Sequence, residues 1–187
     1  MATKKITIPL KKALLDLESQ DEKKMDKAIQ TIASSGNIAV LDELINLLKQ
    51  AENKQLKKKL IVLFSDIRDE DAKEVIISKL NDDSFEAVKN DLLNVVWNSK
   101  LDFSEFIADF VSLSLQGDFM RSIECLTVIE NMSGPFEEHH LLEAQLYLKE
   151  YYSTQNLEKS QKDEIIADIA IFIRDQNEGI DADLLLE

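Results

Sequence analysis

Cysteine, proline, glycine, histidine and tryptophan are all scarce in this chain of 187 residues, with one, two, four, two and one respectively. Each shortage removes a class of protein. A lone thiol, Cys125, forms no internal disulfide and no thiolate metal cluster, which agrees with a reducing compartment. So few glycines and prolines leave too little turn chemistry for an all-β fold or a loop-rich enzyme, and favour helices joined by short connections. No apolar run exceeds five residues, as at 60–64, whereas a bilayer span takes roughly 20. No transmembrane segment is therefore expected. The opening MATKKITIPLKK lacks the apolar stretch of a secretory signal, so a cytoplasmic location is predicted.

Charge, by contrast, is plentiful and unevenly placed. Residues 1–60 hold 12 Lys/Arg against 8 Asp/Glu, and residues 61–187 hold 10 against 28, for a total of −14. This distribution predicts an electrostatic dipole along the chain. It also disfavours binding to nucleic acids or anionic membranes anywhere except the N-terminal end.

The sequence echoes itself. A shift of 32 positions superposes Leu56-Lys57 on Val88-Lys89 and on Met120-Arg121, each an apolar residue followed by a cation. The same shift aligns Ile29, Ile61, Leu93 and Cys125, and also Ile32, Phe64, Val96 and Val128. These two columns lie three residues apart, on one face of a helix. A second set carries Leu44, Ile45 and Leu48 onto Ile76, Ile77 and Leu80, so the repeating unit is two helices. The next copy matches at a shift of 31, taking Val75, Ile76 and Leu80 onto Phe106, Ile107 and Val111. The missing residue is regained in the turn at Gln116-Gly117-Asp118.

Caps and breaks divide the chain into five hairpins at about 9–34, 38–67, 71–99, 103–132 and 136–176, followed by a short tail at 179–187. Pro9 suits a first helical turn, Ser84 and Asp102 suit N-caps, and Gly36, Gly117 and Gly134-Pro135 suit helix ends. In the tail, Leu184 to Leu186 are expected to fold back onto the last helix, with presentation to a partner as the alternative.

The stretch VIISKLNDDSFEAVKNDLLNVVW, residues 75–97, resembles a HEAT repeat: an apolar first helix, an acidic turn, then an apolar-cation pair opening an apolar second helix. The likeness covers roughly residues 20–132 and fades in the last hairpin. It implies an all-α fold, a single domain over 1–187 built as a right-handed α-α superhelix of about five stacked hairpins, as in armadillo-type arrays. Lys57 and Lys89 stand where such repeats often carry arginine, which weakens the expectation of a regular hydrogen-bond ladder from Asp83.

The resemblance further implies that the second helix of each hairpin lines the concave side. Lys23, Lys27, Lys57 and Lys58 would then share a face with Lys89 and Arg121 and form a partner-binding stripe, set against the reading that they merely solubilise their helices. Candidate chemistry elsewhere is thin. His139, His140 and Glu143 offer Glu-x-x-His and i, i+4 spacings, but a di-iron site needs two such motifs and there is no third histidine. Cys125 falls in a core column. The acidic runs at 69–71, 82–83 and 137–138 lack the order of a calcium loop. No metal, cofactor or catalytic residue is expected. A glycosylase-type enzyme on this architecture resembles a basic clamp, which a net charge of −14 and one tryptophan oppose. The expected function is a non-enzymatic protein-protein interaction scaffold, with self-association of basic and acidic halves as the alternative.

Overall fold

The computed structural model describes residues 6–19, 21–35, 38–154 and 160–177, and every regular element among them is helical. Ten α-helices follow one another: α1 (Ile8–Leu17), α2 (Glu22–Ser35), α3 (Ile38–Gln50), α4 (Lys54–Ser65), α5 (Ala72–Leu80), α6 (Lys89–Asn98), α7 (Ile107–Gln116), α8 (Phe119–Glu130), α9 (Glu138–Thr154) and α10 (Gln161–Gln176). Two 3-10 turns, Asp83–Val88 and Ser104–Phe106, run directly into α6 and α7. None of the described helices is long and apolar enough to cross a membrane.

The helices fall into two compact units, Met1–Leu101 and Asp102–Glu187. In the first unit α1 packs on α2 and α3 on α4, while α2 also touches α4, α4 touches α6, and α3 touches α5. In the second unit α7 packs on α8 and α9 on α10, and here too α7 touches α9 and α8 touches α10. Within the units, second helices therefore lie against second helices at α2–α4–α6 and α8–α10, and first against first at α3–α5 and α7–α9. The reason lies in the apolar columns: Ile32, Phe64, Val96 and Val128 are each at most 4% exposed, and no isolated pair of helices could bury them.

Local chemistry starts and stops the elements. Asn53 accepts from the amides of Gln55 and Leu56, and Asp118 from that of Arg121, satisfying first-turn N–H groups of α4 and α8. Ser160 and Asp163 form a reciprocal capping box at α10. Pro9 sits in the first turn of α1, as expected. Ser84 does not cap α6. Asp82 instead caps the 3-10 turn that precedes α6, accepting from the Ser84 amide at 2.8 Å. Asp102 accepts from both the amide and the hydroxyl of Ser104, at 3.2 and 2.6 Å.

Gly117 ends α7 at φ −75, so no left-handed backbone calls for glycine there. Its demand is space: a Cβ would stand 2.6 Å from the Arg121 side chain. Gly134 is the left-handed one, at φ 65 before a cis bond to Pro135. Gly36 and the tail 179–187 lie outside the described residues.

Candidate interaction surface

The most regular column of the expected stripe is Lys57, Lys89 and Arg121. On α2 the equivalent position is Met25, which is 2% exposed. That column faces inward. Lys89 is itself 3% exposed, and its ammonium lies 3.5 Å from an Asp83 carboxylate oxygen and 3.4 Å from one of Glu86. These bonds close within one hairpin and form no ladder between repeats. Lys57 is half-buried. Arg121, also half-buried, lays its alkyl stem over Gly117. Long cations on such a column bury their methylenes and bring only the head to the rim, so Lys89 is not available as a contact residue.

Lys23, Lys27 and Lys58 are exposed. A polar clasp joins the two helices that carry them. Glu22 of α2 accepts from the side-chain Nε2 of Gln55 on α4 at 2.6 Å, and one turn further on Asp26 pairs with Lys59. Successive helical residues lie about 100° apart. On these parallel helices Lys23 and Lys27, each following a clasp residue on α2, and Lys58, preceding Lys59 on α4, all fall on the solvent side of the clasp. Beside Lys58, one turn along α4, Val62 is 64% exposed. The outer face of α2 and α4 therefore combines cations, an apolar spot and a fixed polar seam.

A second cluster escaped the sequence reading because its members lie far apart in the chain. Phe85 has the Lys49 ammonium 4.5 Å and the Lys79 ammonium 4.8 Å from its ring centre, and Lys79 pairs with Asp42 at 2.7 Å. The Ser84 amide and hydroxyl, aided by Lys49 and Lys79, hold the Asp82 carboxyl below its ordinary range. These contacts tie α3 to α5.

In the second unit Lys162 of α10 donates to the carbonyls of Leu115 and Gly117, both at 2.7 Å. An ammonium on the last carbonyls of α7 is a C-cap supplied from another helix. Desolvation lowers the Lys162 pKa, and Asp163 and Asp118 oppose that shift. The Tyr151 hydroxyl donates to Asp163 at 2.8 Å, joining α9 to α10. Bonds from Ser160 amide, Ser160 hydroxyl and Tyr151 together lower the Asp163 pKa.

The residues considered for metal binding do not converge. His139 lies 3.4 Å from Glu137, both largely exposed, and its ring centre is 3.8 Å from that of His140 with the planes tilted by 49°. Glu143 instead accepts from the Tyr147 hydroxyl at 2.8 Å. Among the described residues no three His, Cys, Asp or Glu side chains come together to hold a metal ion. Cys125 is buried, and desolvation pushes its pKa up to about 12, so it is no thiolate nucleophile near neutrality. A cleft of about 280 Å³ in the first unit has apolar walls that include Val40, Leu44 and Leu63, with Asp66, Arg68 and Asp69 the charged residues of its lining. Its described lining contains no hydroxyl, thiol or imidazole.

No family model matches this chain, and neither a curated protein nor a solved structure matches it.

Proposed function

We propose that the protein is a non-enzymatic, cytoplasmic interaction module, its hairpins stacked as a HEAT-like α-α superhelix, and that the outer face of α2 and α4 holds an acidic segment of another protein. One observation carries this reading. The Glu22–Gln55 and Asp26–Lys59 clasp fixes two neighbouring second helices side by side, and their solvent face offers Lys23, Lys27 and Lys58 around the exposed Val62. A rigid pair of helices with cations flanking an apolar spot suits a short segment with acidic side chains about an apolar anchor. The alternation of first-helix and second-helix contacts within each unit supports the stacking.

The test is comparative affinity purification from the native cell. A triple K23E/K27E/K58E variant should lose at least one protein that wild type retains, while K100E, altered at an exposed lysine outside this face, keeps it. Identical sets captured by wild type and by the triple variant would overturn the reading.

A further inference from the structure

The first helix carries a second apolar stripe that its own unit leaves uncovered. Leu10, Ala13 and Leu17 face α2 and are at most 4% exposed. Ile8 and Leu15, seven residues apart on the opposite side, are 84% and 70% exposed. Lys11 and Lys12 flank them, both exposed; Asp16 lies beyond Lys12, half-buried. A helix that closes a stack of hairpins ordinarily turns a polar outer face to water. Here two large apolar side chains stand on that face between two ammonium groups, a pattern that marks a contact surface.

The same chain contains a segment of complementary chemistry. Residues 181–187 place Leu184, Leu185 and Leu186 between Asp181 and Asp183 on one side and Glu187 on the other. Its seven residues reach up to about 24 Å when extended. Ile8 and Leu15 stand about 10 Å apart along a helix axis. The segment therefore spans both, with acids left over for Lys11 and Lys12.

We propose that residues 181–187 of one copy dock on the Ile8–Leu15 face of α1 in a second copy, making a head-to-tail contact. Charge complementarity selects this occupant: Asp102–Glu187 holds 5 Lys/Arg against 19 Asp/Glu, and α1 brings Lys11 and Lys12 beside its open apolar stripe. The contact is heterologous, so each copy keeps one unused face and one unused segment and association continues with concentration. A small contact of two apolar residues and two charge pairs holds with a dissociation constant of about 10 μM to 1 mM.

Sedimentation of the full chain from about 10 μM to 1 mM at low salt tests this. Wild type should show a weight-average mass that climbs above 21.3 kDa with concentration and falls back in high salt. An I8S/L15S variant, and separately an L184S/L185S/L186S variant, should each weaken association at least about tenfold. Circular dichroism at unchanged helicity confirms that each is folded. Mixing the two should restore a 1:1 dimer that does not grow, because each supplies the half that the other lacks. A wild type that stays monomeric throughout overturns the proposal, as does either variant associating like wild type or a mixture that remains monomeric. These results are independent of the α2–α4 lysines, so either reading can fail alone.

Discussion

Lys89 shows how a side chain that reads as surface becomes interior. Its side chain is 4% exposed, while the carboxylates of Asp83 and Glu86 that receive its ammonium are 99% and 61% exposed. Most of the residue is therefore hydrocarbon packed inside the hairpin, and the charge is spent at the rim, where pairs contribute little. Lys89→Met keeps the stem and should change stability by no more than about 1 kcal/mol. Lys89→Glu sets a third carboxylate beside two others and should cost about 3 kcal/mol or more. Urea unfolding of both variants would check the contrast, and equal losses would show that the charge matters more than the stem. Cys125 gives a second residue-scale expectation. With its pKa raised to about 12 by burial, it should resist iodoacetamide at pH 8 in the folded protein and react once urea unfolds it. The column Ile32, Phe64, Val96 and Val128 was legible because every member is apolar. Lys89 misled because a sequence pattern scores the ammonium and overlooks the methylenes beneath it.

Elements were legible wherever a cap stood next to an apolar period, and less so where contacts from elsewhere set the ends. The ten helices fall close to the expected hairpins, yet α6 is preceded by a 3-10 turn and α9 begins two residues later than expected, at Glu138. Phe136 stays out of α9 and packs edge-on against Phe172 of α10, with ring centres 6.0 Å apart. Such partners are 36 residues distant and leave no local signal. The same holds for Lys162, whose role on the α7 carbonyls could not be inferred from its neighbours in sequence. The capping box at α10 makes an element-scale prediction. Asp163 is held below the ordinary aspartate value of 3.8 by bonds that favour its ionised form, so its contribution to folding is present above that value and is lost as pH falls through the lower, folded one. Asp163→Ala should cost roughly 0.5–1 kcal/mol at pH 7. The gap between variant and wild type should close below pH 3.8. Thermal melts at both acidities would reveal it, and a gap that persists in acid would mean that the loss is one of packing.

At the scale of the whole molecule, the periodicity counted hairpins and passed across the division between the two units. One trace of that division is present in the echo: the shift falls from 32 to 31 between α5 and α7, which places the lost residue in the connection where Leu101 meets Asp102. Charge divides at the same place. Met1–Leu101 carries 17 Lys/Arg against 17 Asp/Glu, while Asp102–Glu187, with 5 against 19, carries the entire −14. Of the five cations there, Lys162 is committed to carbonyls and Arg174 to Asp175. Self-repulsion therefore burdens the second unit, whereas the first relies on attractive pairs such as Lys79–Asp42 and Lys73–Glu70. Salt should act on the two in opposite senses. Raising it from about 20 mM to about 500 mM shortens the screening length from roughly 20 Å to about 4 Å, which relieves repulsion among the acids and weakens the exposed pairs. Amide hydrogen exchange, read separately for α7 and α8 and for α3 and α4, should show protection rising in the former by about 0.5–1 kcal/mol and unchanged or slightly lower in the latter. Equal gains in both sets would mean that screening acts on the chain as one body and that the charge division has no consequence for its stability.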